Sequence, residues 1–179
     1  MFTYRVATID DIENIVRLVE SAYRGDSSRH GWTTEADFID GQRTDREEVL
    51  SLLEKPNHAF LLCEEGDQLV ATTQLNKTPD KAYLGMFAVD PLKQGGGIGL
   101  SLLKQAEKYV QDRWGSRSLQ MSVISIRTEL IDWYMRHGYK KTGVVSFFPY
   151  GEPRYGIPNR DDLVLEMLEK KLVKTVVCS

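Results

Sequence analysis

Residue types that mark several large protein classes are scarce in this sequence. Cysteine occurs only twice among 179 residues, at Cys63 and Cys178, and this spacing fits neither a disulfide framework nor a zinc or redox motif. The histidines His30, His58 and His137 lie far apart, so no local pattern predicts a metal site or a histidine-centred catalytic triad. We therefore expect a protein that works without a metal ion.

An excess of one charge sign and a long hydrophobic run are also missing. Charged residues make up 27% of the chain, alternate in sign along it and leave a net charge of −3. This balance argues against a nucleic-acid partner and against an anionic membrane surface. No apolar stretch approaches the length of a membrane span, and the first residues do not read as a secretory leader. We expect a soluble, cytoplasmic protein whose partner is a small molecule.

The apolar pattern predicts one α+β domain over residues 1–179, because a chain with 41% hydrophobic residues at this length supports a single core. Apolar residues at three- and four-residue intervals predict helices over about 9–23, 45–55, 100–112 and 129–137. Short β-prone runs predict strands over 4–6, 58–63, 69–75, 83–89, 119–124, 139–148 and 163–167. A helical start followed by a three-strand meander favours a mixed, mostly antiparallel sheet with helices on both faces.

Capping signals and one unusual segment refine this outline. Thr44 with Glu47 has the spacing of a capping box at the start of the second helix. From Arg24 to Arg43 the periodicity fades, yet this polar segment contains Trp32, whose large apolar ring usually makes a contact. We interpret the segment as a candidate for substrate contact.

The clearest motif is Gln94-Gly95-Gly96-Gly97-Ile98-Gly99, directly between a predicted strand and a predicted helix. Glycines permit positive φ, so several backbone N–H groups can converge on an anion beside the positive end of the helix dipole. The motif predicts a phosphate-binding loop; a tight structural turn is the alternative interpretation. It is neither a dinucleotide fingerprint, which needs G-x-G-x-x-G, nor a Walker loop, which ends in Lys and Ser or Thr.

The loop matches the Q/R-x-x-G-x-G/A signature of the GNAT superfamily, with Gln94, Gly97 and Gly99 in the defined positions. The preceding strand ends in Phe87-Ala88-Val89-Asp90-Pro91, similar to the V-x-P that often stands there in the family. Further along, Trp133-Tyr134-Met135-Arg136-His137-Gly138-Tyr139 is similar to the family's tyrosine-bearing helix followed by G-F or G-Y. The sequence therefore resembles a GNAT-type acyltransferase.

This resemblance implies a GNAT fold of roughly six to seven strands and about four helices. It implies transfer of the acetyl group of acetyl-coenzyme A to a primary amine by direct attack in a ternary complex. Tyr134 would act as general acid toward the departing thiolate, although a packed aromatic is the alternative reading. Arg127 and Leu130 stand where the family commonly has Asn and Ala. The residues expected to contact the cofactor are Phe87, Ala88, Val89, Gln94, Gly95, Gly96, Gly97, Ile98 and Gly99.

The acceptor side is less defined. Glu35 and Asp90 are candidates to take the amine proton or to bind the ammonium group. The resemblance implies an acceptor pocket built from the early and late loops, with Trp32, Glu35, Tyr150, Arg154 and Tyr155 as the candidate lining.

Two other functions stay open at this point. A catalytically silent acyl-coenzyme A sensor would keep the loop, but retention of Tyr134 favours an enzyme. A nucleotide-binding protein would need the lysine that the loop lacks. Nothing identifies the acceptor, small molecule or peptide, and the mild acidity only hints at a cation. The apolar stretch Leu172–Val177 is a candidate homodimer interface.

Overall fold

The computed structural model describes residues 1–173, and in this part of the chain five α-helices surround two sheets. This mixed α+β architecture confirms the fold class predicted from the sequence. The predicted dimer stretch Leu172–Val177 runs beyond the described residues, so the homodimer stays a prediction. In chain order the elements are β1 (Phe2–Val6), α1 (Ile12–Tyr23), α2 (Gly25–Ser28), β2 (Ile39–Asp40), α3 (Arg46–Leu53), β3 (His58–Glu65), β4 (Gln68–Lys77), β5 (Ala82–Val89), α4 (Ile98–Trp114), β6 (Ser118–Ile124), α5 (Thr128–Arg136), β7 (Lys140–Phe147), β8 (Ile157–Pro158) and β9 (Val164–Lys171).

The main sheet has seven strands in the order β1-β3-β4-β5-β6-β9-β7. All neighbouring pairs are antiparallel except β5 and β6, which run parallel on either side of the α4 crossover. The parallel pairing consists of only Ala82 with Leu119 and Tyr83 with Gln120. Beyond these two pairs β5 and β6 no longer pair, and the sheet has a gap at its centre.

Alternate residues of the central strands point to opposite faces of the sheet and build two cores. In β3, Leu61 and Cys63 join the core that α4 and α5 cover, whereas Phe60 and Leu62 join the core that α1 and α3 cover. The apolar stripe predicted for the first helix is confirmed, because it fills the second of these cores. The sheet is thus covered on both faces, and the central gap is the place where its interior opens.

The start of α3 differs from the sequence prediction. Asp45, not Thr44, is the N-cap residue, and its carboxylate accepts a hydrogen bond from the backbone N–H of Glu48 at 2.8 Å. The hydroxyl of Thr44 instead donates to the Glu48 carboxylate at 2.7 Å. The Thr44–Glu47 capping box was therefore wrong by one residue.

Candidate functional site

The glycine-rich loop leads directly into α4, and no side chain caps the start of this helix. Gly97 is the N-cap residue of this 17-residue helix and has a φ of 82°, while Gly95 has a φ of 89°. No side chain accepts a hydrogen bond from the first turn, and that turn contains no acidic residue. Its N–H groups, which have no partner within a helix, and the positive end of the dipole are available to an anion.

A cavity of about 630 Å³ extends from this loop along α5. Most of the predicted cofactor contacts line it: Phe87, Val89, Gln94, Gly95, Gly97, Ile98 and Gly99. Two others do not. Ala88 points to the opposite face and packs in the core beneath α1, and Gly96 is exposed on the outside of the loop. We call this space the cofactor cleft.

The wall of the cofactor cleft opposite the loop is aromatic, and Trp133 is at its centre. Its ring centroid lies 6.4 Å from that of Trp32, 6.3 Å from Phe87, 5.1 Å from Tyr134 and 4.7 Å from His137. The sequence motif included Trp133, but sequence reasoning gave it no role. The structure also places Trp32 in this cleft and not at the acceptor side, where it was expected.

The side chain of Gln94 links the segment around Trp32 to the glycine-rich loop through hydrogen bonds. Its Oε1 accepts a hydrogen bond from the backbone N–H of Trp32 at 2.9 Å, and its Nε2 donates to Thr33 Oγ1 at 2.9 Å and to the Val89 carbonyl at 3.2 Å. A Cβ on Gly31 would lie 2.5 Å from Gln94 Oε1, so a larger residue at position 31 would displace the Gln94 side chain from this arrangement. The amide of Gln94 thus holds the wall of the cleft together.

A second cavity, of about 330 Å³, occupies the gap between β5 and β6. We call it the acceptor pocket. Of the residues expected there, Glu35 and Tyr155 line it. Tyr150 lines neither cavity, because its hydroxyl accepts a hydrogen bond from the backbone N–H of Leu163 at 2.8 Å and anchors the late loop. Arg154 also lies outside, with its guanidinium 3.4 Å from the Asp45 carboxylate.

The two carboxylates considered as proton acceptors have different surroundings. Glu35 is buried, and its Oε1 lies 3.3 Å from Arg24 Nη1 and 3.9 Å from Arg127 Nη1. It is the only carboxylate of the described residues that lines the acceptor pocket. Asp90 lines neither the cofactor cleft nor the acceptor pocket, and its carboxylate accepts a hydrogen bond from the backbone N–H of Leu92 at 3.0 Å.

The cofactor cleft and the acceptor pocket meet at a junction of shared residues. Tyr134 lies there with only 3% of its surface exposed, and burial raises the pKa of its phenol far above the usual range. The phenol therefore stays protonated and can donate a hydrogen bond at neutral pH. The residues that line both spaces are Tyr23, Phe87, Arg127, Leu130 and Tyr134.

A bulge in β5 positions Phe87 at this junction. The register with β4 shifts between the pairs Gln74–Gly85 and Thr72–Ala88, and Met86, which lies inside this shift, adopts a φ of 46° that non-glycine residues rarely have. A bulge of this kind redirects side chains. The Phe87 carbonyl accepts a hydrogen bond from the Tyr23 hydroxyl at 2.5 Å.

Across residues 1–173, no three His, Cys, Asp or Glu side chains are arranged to hold a metal ion. In the same range no helix is both long and apolar enough to cross a membrane.

Comparisons with known proteins agree with this geometry. The sequence profile described as the Acetyltransferase (GNAT) family matches residues 15–139. An N-acetyltransferase from Staphylococcus aureus is similar in structure, with 17% identity, a TM-score of 0.73 and coverage of 96% of this chain and 98% of that one. A ribosomal-protein alanine N-acetyltransferase from Escherichia coli has 14% identity, a TM-score of 0.71 and coverage of 100% and 99%.

A chimera of spermidine N-acetyltransferase from Vibrio cholerae is also similar, with 14% identity, a TM-score of 0.70 and coverage of 96% of this chain and 95% of that one. A search of the curated proteins found no match. These identities show a shared fold, and the named acceptors of the solved structures differ from one another. The family profile covers well over half of the sequence, so this chain belongs to the GNAT family of acetyltransferases.

Proposed function

We propose that the chain is a single-domain N-acetyltransferase that transfers the acetyl group of acetyl-coenzyme A to a primary amine. The observation that supports this most directly is the junction of two cavities at the buried hydroxyl-bearing residue Tyr134. One cavity begins at an anion-binding helix terminus and the other enters the sheet between β5 and β6. A transferase with two substrates needs two such spaces that meet at the reacting atoms.

The cofactor cleft fits coenzyme A in both chemistry and size. The uncapped first turn of α4 and the N–H groups of Gly95, Gly97 and Gly99 would bind the pyrophosphate. The backbone at the end of β5 and the ring of Phe87 would contact the pantetheine arm, whose thioester supplies an activated acetyl group. A volume of about 630 Å³ lies within the roughly 300–1,000 Å³ range of small-molecule sites.

Tyr134 at the junction and Glu35 in the acceptor pocket would provide for the two proton transfers. The amine attacks the acetyl carbonyl carbon with its lone pair, so a C–N bond forms, the C–S bond breaks and its electron pair goes to sulfur. Tyr134 donates its proton to that sulfur and regains one from the nitrogen. Glu35, as the carboxylate of the acceptor pocket, would accept the proton that the ammonium loses before attack. The products are an amide, a free thiol and one released proton.

A sensor that binds acyl-coenzyme A without turnover is the second candidate. It would need the cofactor cleft alone. The acceptor pocket that reaches Tyr134 has no purpose in such a protein, and this favours the enzyme.

Calorimetric titration with acetyl-coenzyme A tests the proposal, with ATP and NAD as controls. We expect saturable binding of acetyl-coenzyme A at micromolar concentration and no comparable binding of either nucleotide. Release of free thiol in the presence of amines then separates the enzyme from the sensor. A folded protein that does not bind acetyl-coenzyme A would contradict both the enzyme and the sensor.

Gln94→Ala is expected to weaken acetyl-coenzyme A binding about tenfold without unfolding the protein. The substitution removes the hydrogen bonds that hold Trp32 and Thr33 against the loop, and a loss of about 1.4 kcal/mol corresponds to that factor. Calorimetry measures the affinity. Gln68→Ala, at an exposed position on β4, is the matched control and should bind as the unmodified protein does. Equal affinity of the two variants would contradict the role of Gln94.

A further inference from the structure

The acceptor pocket contains more positive than negative charge. Three guanidinium groups line it, those of Arg24, Arg43 and Arg127, and among the described residues Glu35 is the only carboxylate there. Arginine stays charged at any physiological pH, so the lining carries an excess of two positive charges. Like charges in one cavity repel each other strongly where water is excluded. This arrangement is costly unless an anion joins it.

Arg24 places a buried positive charge beside this pocket. Its side chain is only 4% exposed, with Nη1 beside Glu35 and Nη2 donating to the Tyr155 carbonyl at 3.0 Å. Its Nε is buried and has no hydrogen-bond partner among the described residues. Burial lowers the pKa of Arg24 from its usual value, and the charge of Arg43 acts in the same direction. A buried donor without a partner is rare, and it leaves the charge of Arg24 incompletely compensated by the protein.

Arg43 and Arg127, from other segments of the chain, both lie near the ring of Tyr23. Their guanidinium carbons lie 5.7 Å and 5.8 Å from the ring centroid of Tyr23, which lines the pocket. Within residues 1–173 no carboxylate lies within salt-bridge distance of Arg43. The nearby carboxylate of Glu20 accepts hydrogen bonds from the backbone N–H groups of Arg43 and Thr44, at 2.6 and 2.7 Å.

We propose that the acceptor is a small amine that also carries a carboxylate, as an amino acid does, and that Arg43 and Arg127 bind that carboxylate beside the buried charge of Arg24. The inference rests on the proposed function, because it names the substrate class of the acceptor pocket. Planar guanidinium groups match a carboxylate with paired, charge-assisted hydrogen bonds. A polyamine would add positive charge to a pocket that already has an excess of it. The volume of about 330 Å³ suits a molecule of amino-acid size.

Matched acceptors test the inference. Each amino acid of a panel is compared with its carboxamide and with its decarboxylated amine, and spermidine represents the polycations. After acetyl-coenzyme A binding has been established by calorimetry, thiol release gives kcat/KM for each compound. We expect at least one amino acid to exceed its carboxamide and its decarboxylated amine tenfold or more. Equal or better turnover of the uncharged partners, or of spermidine, overturns the inference and leaves the proposed function intact.

A binding measurement, which needs no turnover, tests the carboxylate inference separately from the proposed acetyltransferase function. N-acetylated amino acids and their N-acetylated amides, which stand for the products, are titrated into the protein saturated with coenzyme A. Tighter binding of the carboxylates supports the inference. If acetyl-coenzyme A binds but no amino acid is acetylated and no carboxylate binds, the inference fails alone. If acetyl-coenzyme A itself does not bind, the proposed function fails.

Arg43→Gln locates the carboxylate. Arg43 makes no buried ion pair among the described residues, so the variant should fold, which thermal unfolding checks. We expect KM for the amino acid to rise about tenfold, which equals about 1.4 kcal/mol, with KM for its carboxamide and the affinity for acetyl-coenzyme A unchanged. Arg46→Gln, at an exposed position on α3, is the control and should change neither. An equal change of KM for the amino acid and its carboxamide indicates that Arg43 has a merely structural role and overturns the assignment.

Discussion

Gly97→Asp is expected to abolish measurable acetyl-coenzyme A binding, with a loss of affinity of 100-fold or more, about 2.7 kcal/mol. The new carboxylate at the N-cap of α4 competes for the N–H donors of the first turn and repels the pyrophosphate. The protein itself has room for the side chain, because a Cβ at Gly97 meets no heavy atom within 4 Å. Calorimetry measures the affinity, and circular dichroism checks the fold.

Gly97→Asn is the matched control, because it has the same size as aspartate without the charge. The φ of 82° costs any side chain about 1–2 kcal/mol, but Asn and Asp tolerate this region better than other residues. We expect the Asn variant to unfold at nearly the same temperature as the Asp variant and to keep most of its affinity for acetyl-coenzyme A. Undiminished affinity of a folded Gly97→Asp protein would show that the loop does not hold the pyrophosphate.

The sequence predicted those elements whose pattern is local and strong. The stripe of α1 repeats over three turns, and β3 alternates between two buried faces, so each element carries its own periodic signal. The glycine loop is local in the same sense, because a strand, several glycines and a helix follow one another directly. This explains why the fold and most of the cofactor cleft were predictable.

The remaining features depend on contacts between distant residues. The two-residue strands β2 and β8 pair across more than a hundred positions, and neither is long enough to have a periodicity. Asp45 caps α3 because Thr44 is engaged elsewhere: its backbone N–H donates to Glu20 and its hydroxyl donates to Glu48. Local spacing alone does not distinguish two neighbouring residues that both cap helices well.

The acceptor pocket shows the same limit most clearly. Arg24 and Arg43 marked only the ends of an irregular segment in the sequence, and the net charge of −3 hinted at a cationic acceptor. The fold brings both guanidinium groups to the gap between β5 and β6, together with Arg127. The local charge of the pocket is therefore opposite in sign to that of the whole chain. The preference for an acceptor depends on the charge of the pocket and not on the net charge of the chain.

The position of Tyr134 combines what the motif and the fold contribute. The motif places a tyrosine on a short helix, and the fold buries its hydroxyl where the two cavities meet. The rings of Phe87 and Trp133 both pack edge-on against it, at 6.3 and 5.1 Å between centroids. An apolar setting keeps the phenol protonated and strengthens its hydrogen bond to any charge that develops nearby.

Tyr134→Phe is expected to lower kcat about 100-fold or more while acetyl-coenzyme A binds within twofold of its normal affinity, because only proton donation to the leaving sulfur is removed. Burial raises the pKa of Tyr134, so an alkaline loss of activity near pH 10, where an ordinary tyrosine ionises, should not arise from this group. Tyr109→Phe, in α4 away from both cavities, is the control and should keep full activity. An unchanged kcat for Tyr134→Phe, measured with the best amine of the panel, would exclude this phenol as the required acid. It would indicate that solvent protonates the departing thiolate.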